Sequence, residues 1–208
     1  MTDPHAGQPV LGRGPAPPDA RAVVMLVHGR GASAESILSV ALALDLPDVA
    51  YLAPQAAGRT WYPYSFLAPI DQNEPFLTSA LGVMASHVAR LNAEGVPSER
   101  IAFIGFSQGG CLSLEFAARH PRRYAAVAGL SAGLIGPPGT PRDYAGSLES
   151  TPVFLGCSDT DSHIPLARVH ESAAVLRRLG AAVDERIYPS MGHTINDDEI
   201  AAVRAMLR

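Results

Sequence analysis

Apolar residues in this chain fall into short unbroken runs, separated by segments where they recur every three or four positions. Residues 22–28 (AVVMLVH) are β-branched and aliphatic almost throughout, as suits a strand covered on both faces. Residues 35–44 (ESILSVALAL) have helical spacing, and Ser33 stands where a helix N-cap belongs. The alternation continues with a short strand at 49–54 stopped by proline, and a helix over 75–95 that ends in Gly95. A strand at 101–106 and a helix at 108–119 follow, then strands at 124–131 and 152–157. A helix at 165–180 opens with Pro165 and closes with Gly180. The half-alternating strand at 183–189 suits a sheet edge, and the acidic start of 196–207 suits a helix N-terminus. Strand and helix in strict alternation predict a mostly parallel sheet with helices on both faces, whose chemistry gathers at the carboxyl ends of the strands.

Residues 1–20 break this rhythm. They are rich in Gly, Pro and Ala and predict an extended or loosely ordered segment, with one short edge strand near 8–11. Residues 21–208 then form a single domain, since neither a linker nor a repeat interrupts them.

Composition narrows the function classes. The 208 residues are 47% hydrophobic and 17% charged, as in a compact globular chain. The formal charge is -4 and the basic residues are scattered, which argues against nucleic acid as a partner. No apolar run is long enough to span a bilayer. The first residues have neither the basic start nor the apolar core of a secretory signal, so the cytoplasm is the expected location. Cys111 and Cys157 sit in apolar segments and read as buried, reduced thiols.

The chemistry centres on Gly105-Phe106-Ser107-Gln108-Gly109, a G-x-S-x-G pattern between a buried strand and a helix. A strand-to-helix turn this tight strains the serine backbone and leaves no room for a β-carbon on the flanking glycines. It raises one hydroxyl clear of the sheet, where the next backbone N–H and the helix dipole favour developing negative charge. Ser107 is therefore the candidate nucleophile. It needs a base and a group that orients the base, in the order Ser, acid, His along the chain. His193, in the loop after the last strand, is the candidate base. His163 follows the preceding strand and reads as a pocket residue, while His170 lies within a helix. Asp159 and Asp161, both past the strand at 152–157, compete for the acid, and Asp159 also suits tying its loop to nearby N–H groups. The Gly-rich stretch after the first strong strand (HGRGAS) offers a second oxyanion donor, the backbone N–H of Arg30, beside that of Gln108. The Arg30 side chain is then expected at the pocket mouth, where it could select an anionic substrate, and His28 is expected to brace the loop.

Taken together, GFSQGG, APQA followed by TWY, SDTDSHIP and MGHTI make the chain from Ala22 onward resemble the α/β-hydrolase phospholipase/carboxylesterase family, which includes bacterial carboxylesterases and acyl-protein thioesterases. The resemblance implies an α/β-hydrolase fold, no metal or other cofactor, often a homodimer, and a triad in which the second Asp of D-x-D, Asp161, is the acid. Arg30 stands where family thioesterases tend to carry an aliphatic residue, and Trp61-Tyr62-Pro63 replaces Trp-Phe-Asp. Both departures touch the expected acyl pocket and count against a long-chain protein-acyl substrate. No insertion is large enough for a separate cap domain. The aromatic stretch 56–75, with 132–139, is expected to wall an open pocket, with Trp61 and Tyr62 lining it and Tyr64 and Phe66 packing the loop onto the sheet. The leading expectation is a serine carboxylesterase acting on short- to medium-chain acyl esters. A thioesterase or lysophospholipase would use the same triad. A non-catalytic ligand-binding protein, or a metal-dependent hydrolase built from His28, Asp159, Asp161 and His163, belongs to another class, and the spacing of those four residues gives the latter no support.

Overall fold

A computed structural model describes residues 3–208. The elements run β1 (Val10–Arg13), β2 (Ala22–Val27), α1 (Ala34–Leu44), β3 (Val49–Pro54), α2 (Phe76–Ala93), β4 (Ile101–Phe106), α3 (Gln108–Arg119), β5 (Ala126–Leu130), β6 (Pro152–Ser158), α4 (Leu166–Arg178), β7 (Ala182–Tyr188) and α5 (Asp197–Met206). The strands form one sheet in the order β1-β3-β2-β4-β5-β6-β7. All neighbours are parallel except β1, which pairs antiparallel with β3 from Val10↔Pro54 to Arg13↔Tyr51. This is the α/β-hydrolase architecture, without a separate cap domain.

The unbroken apolar runs follow from the two layers of helices. Val23, Met25 and Val27 of β2 point into a core shared with Leu77 and Met84 of α2, Leu114 and Phe116 of α3, and Val169 and Leu176 of α4. Val24 and Leu26, alternating with them, point to the opposite core, against Ile37 and Val40 of α1 and Val203 of α5. A strand buried on both faces has no solvent side, so it carries no polar alternation. The last strand differs: β7 lies at the edge and is exposed or half-buried along its length.

The N-terminal segment departs from the expectation of a loose tail. The edge strand lies at Val10–Arg13, two residues beyond the predicted start, and His5 is buried at 2% exposure. The amide of His5 donates to Oγ of Ser79 on α2 (3.0 Å), and its ring edges onto Phe76 at 6.0 Å between centroids. Composition marks this stretch as poor in apolar anchors, yet His5 and the β1–β3 pairing both tie it to the domain.

Parallel order places the carboxyl ends of β2, β4, β6 and β7 along one rim of the sheet. The loops that leave these ends carry Arg30, Ser107, Asp161 and His193.

Candidate active site

Ser107 sits between β4 and α3 with φ 53 and ψ -120, a conformation an L-residue adopts only when its surroundings compel it. The surroundings are backbone. A β-carbon on Gly105 would lie 2.2 Å from the carbonyl oxygen of Gly109, and one on Gly109 would lie 2.1 Å from that of Val27. The Ser107 amide donates to the Leu130 carbonyl of β5 (2.9 Å), which fixes the turn to the neighbouring strand.

His193 Nε2 lies 2.9 Å from Ser107 Oγ, and His193 Nδ1 lies 2.7 Å from Asp161 Oδ2. A carboxylate at Nδ1 makes that atom the N–H donor, which leaves the Nε2 lone pair facing the serine hydroxyl. The imidazole is flanked by the Phe106 ring at 4.9 Å and the His163 ring at 4.6 Å between centroids. The Asp161 side chain is inaccessible to solvent. Burial opposes its ionisation, but hydrogen bonds from His193 and from the amides of His163 (2.8 Å) and Ile164 (3.0 Å) outweigh it, holding the carboxyl below its ordinary range. Asp159 serves the loops instead. Its Oδ1 accepts the Ser190 N–H at 2.8 Å and ties the loop after β6 to the loop that bears His193. Ser158 Oγ adds a second tie, from the Gly192 amide (3.1 Å). On the far side of His193, Asn196 caps α5 and Glu199 returns the bond to the Asn196 amide, a capping box legible in the sequence as Asn-x-x-Glu.

The Arg30 loop packs beside the elbow: a β-carbon on Gly29 would fall 3.5 Å from Ser107 Cβ. The backbone N–H groups of Arg30 and Gln108 make no hydrogen bond among the described residues, so both are available to an oxyanion. His28 braces the loop. It is buried, its Nδ1 bonds the Gly29 carbonyl at 2.8 Å, and its Nε2 accepts from the Ala56 amide at 3.1 Å. Burial lowers its pKa and keeps the ring neutral. The Arg30 side chain lies at the mouth, where it donates to the Pro63 carbonyl (2.7 Å) and to the Tyr64 carbonyl, with its guanidinium over the Tyr62 ring at 5.9 Å.

A half-open cavity of about 610 Å³ leads to Ser107 and His193, walled by Tyr62, Phe66, Phe106, Ile164 and His163, with Arg30 at its rim. Of the three residues read as pocket residues, Tyr62 and His163 are among those that line this cavity and Trp61 is not. Its indole is wholly buried behind the wall, because its N–H finds a partner in the His28 carbonyl (2.9 Å) at the end of β2. Tyr64 and Phe66, expected to pack only the loop, line the cavity instead. The 132–139 stretch does not form a wall; it stands behind one, with the Gly136 amide bonded to the Phe66 carbonyl (2.7 Å). Cys111 touches the cavity, but burial pushes its thiol up to about 12, which makes it a poor nucleophile.

Sequence reasoning missed the side chain of Gln108. It is buried, accepts the Trp61 N–H at its Oε1 (2.9 Å) and donates from Nε2 to the Tyr62 carbonyl (2.8 Å). Nothing local in the sequence signals a contact that spans more than forty residues. Among the described residues no group of three or more His, Cys, Asp or Glu side chains is arranged to hold a metal ion, and no helix is long and apolar enough to cross a membrane.

Comparison with known proteins agrees with this architecture. The sequence model described as Phospholipase/Carboxylesterase matches residues 15–208. A solved phospholipase/carboxylesterase from Dyadobacter fermentans superposes with a TM-score of 0.93 at 41% identity, covering 97% of each chain. Carboxylesterase SOBER1 of Arabidopsis thaliana is 23% identical over 91% of this chain and 90% of its own. Acyl-protein thioesterase 1 of Gibberella zeae is 32% identical over 55% of this chain, which spans 49% of that protein's length.

Proposed function

The chain belongs to the phospholipase/carboxylesterase family, and from that membership we propose a serine carboxylesterase that cleaves short- to medium-chain acyl esters through an acyl-enzyme. The observation that carries the reading is the continuous hydrogen-bond path from Ser107 Oγ through His193 to Asp161, at 2.9 and 2.7 Å.

His193 Nε2 takes the hydroxyl proton as Ser107 Oγ bonds to the acyl carbon. The carbonyl oxygen becomes an oxyanion between the N–H groups of Arg30 and Gln108, neither of which is taken up by another acceptor among the described residues. Asp161 remains a carboxylate and stabilises the imidazolium. The tetrahedral intermediate collapses as His193 returns the proton to the leaving alcohol oxygen. Water then enters, gives a proton to His193 and attacks the Ser107 ester; the carboxylic acid leaves and Ser107 regains its hydrogen.

The cavity supports the acyl range. It is half-open, and Ser107 shares its lining with Tyr62, Phe66 and Phe106. Arg30 bonds the Tyr64 carbonyl of the pocket wall, a tie that an aliphatic residue could not make. Thioesters remain chemically accessible to the same residues, so the acyl length and leaving group are separated by kinetics. The proposal includes a cytoplasmic location, in keeping with two free, buried cysteines.

The test is a series of p-nitrophenyl esters and matched thioesters of increasing acyl length, read as kcat/KM, with a fluorophosphonate probe. Turnover greatest on short and medium esters, with labelling abolished by Ser107→Ala, is the expected result. Full turnover by Ser107→Ala would overturn the assignment.

A further inference from the structure

Resting on that reading of the site, we propose that His5 is a positioning residue for catalysis: the N-terminal segment acts as a strap that sets the pocket wall and the oxyanion amide through Trp61 and Gln108.

The strap is bonded at both ends. Behind His5, the Ser79 hydroxyl bonds the Asp3 carboxylate, and the His5 amide donates to Asp3 Oδ1 (3.1 Å) as well as to Ser79 Oγ. In front, the His5 ring makes two bonds to the loop that follows β3. Its Nε2 lies 2.9 Å from the Trp61 carbonyl oxygen, and its Nδ1 accepts the Ala57 N–H at 3.1 Å. These partners fix one neutral tautomer, protonated at Nε2. The ring also packs against the Trp61 indole, with centroids 5.5 Å apart.

Trp61 is the hub of the network. Its carbonyl is held by His5, its amide by Gln108 Oε1, and its indole N–H by the carbonyl of His28, the residue before Gly29 and Arg30. Gln108 also holds the Tyr62 carbonyl, and its own backbone N–H is one of the two proposed oxyanion donors. The ring wall at Tyr62, the amide of Gln108 and the entry to the Arg30 loop are therefore fixed by one tryptophan. His5 supplies the bond to that tryptophan's backbone from outside the catalytic loops. A mere tail anchor would not need both ring nitrogens engaged by the segment that carries the pocket wall. Removal of the strap frees the Trp61 carbonyl in a buried place and loosens the amide that receives the oxyanion. A displacement of a fraction of an ångström there is costly to the rate.

The test uses the full chain with three substitutions. His5→Phe keeps the bulk and the ring packing without the bonds. His5→Gln offers an N–H near the position of Nε2, and His5→Asn offers an acceptor near Nδ1. Turnover of p-nitrophenyl acetate, thermal stability and the fluorescence of Trp61, the single tryptophan of the chain, are read for each. The expected result is a fall in kcat of about tenfold for His5→Phe and His5→Asn, measured well below their melting temperatures, with KM changed less than about threefold. His5→Gln recovers most of the rate, and the Trp61 emission shifts where the rate falls. If His5→Phe does not fold, the Gln and Asn variants decide. Equal kcat for those two, or a folded His5→Phe within about twofold of the native rate, overturns the proposal. If the native chain turns over no ester, the reading of its function fails instead. The strap is then judged by Trp61 emission in His5→Phe, and an unchanged spectrum overturns it.

Discussion

The Ser190 amide donates to Asp159 at 2.8 Å, and three residues further on His193 meets Asp161 at 2.7 Å. Two carboxylates of one short loop thus hold one backbone and one imidazole. Asp161→Asn keeps the shape of the site but replaces the acceptor that holds the Nδ1 proton. It should lower kcat by about three to four orders of magnitude, with the fold intact. Asp159→Asn leaves a side-chain oxygen for the Ser190 amide and should cost less than about tenfold. Turnover of a chromogenic ester, with circular dichroism as a check of folding, separates the two. Similar losses for both would remove the distinction between them.

At the elbow, a substitution acts on stability before it acts on activity. A methyl group on Gly109 meets the Val27 carbonyl at 2.1 Å and the His28 carbonyl at 2.5 Å, and neither is a flexible side-chain end that could move aside. Gly109→Ala should destabilise the chain by about 3 kcal/mol or more, or prevent folding. Gly82→Ala, on the open face of α2 where a methyl meets nothing within 4 Å, should be neutral or mildly stabilising. Urea denaturation of the pair provides the comparison, and a Gly109→Ala chain as stable as the native one would contradict the packing described.

How much of this is legible in the sequence depends on the range of the interaction. The strands β2, β4 and β6 announce themselves because each is covered on both faces, so burial shows in every residue of β2 and in all but one end residue of β4 and of β6. Ser107 is legible for a different reason: the glycines that its turn requires, Gly105 and Gly109, stand two positions to either side of it in the chain. The place of Trp61 is not, because an aromatic residue in a proline-rich loop looks alike whether it faces a cavity or lies behind one. What decides is the His28 carbonyl, thirty-three positions away. His5 is invisible for a further reason. Composition correctly reports few apolar residues in the tail, but the segment is seated by polar bonds to backbone groups that no pattern in the tail discloses.

Arg30 supports a prediction about loop and charge together. Its guanidinium bonds two successive carbonyls of the pocket wall, and among the described residues no carboxylate pairs with it. Arg30→Leu should free the wall at Pro63–Tyr64 and raise KM for short esters about threefold or more, while kcat stays within about threefold because the backbone N–H remains. Unneutralised charge at the mouth should also favour an ester that bears a carboxylate over its neutral analogue. That preference should shrink in Arg30→Leu and with added salt. Matched neutral and anionic aryl acetates, compared as kcat/KM at two ionic strengths, give the answer, and a preference unaffected by the substitution would assign the selectivity elsewhere.

The helix that follows His193 makes stability depend on pH. Glu199 is wholly buried in the capping box of α5, its Oε1 has no partner among the described residues, and burial pushes its pKa up from 4.5 to about 7. A carboxyl with a raised folded-state pKa binds its proton more tightly in the folded chain than in the unfolded one. Its contribution is therefore most favourable below about pH 4.5, where both states are protonated, and is lost progressively as pH rises towards 7, where both become ionised. Each pH unit of that window is worth about 1.4 kcal/mol, so the whole is about 3 kcal/mol. Asp161 acts in the opposite sense and elsewhere: its lowered pKa adds stability above about pH 4, lost as pH falls through its folded value. Glu199→Gln keeps an oxygen for the Asn196 amide and removes the titration. The native chain should lose stability between about pH 5 and 7 relative to Glu199→Gln, with the two curves parallel above about pH 8. Urea midpoints at half-unit intervals of pH would show it. Curves that run parallel across the whole range would mean that the buried carboxyl does not titrate there.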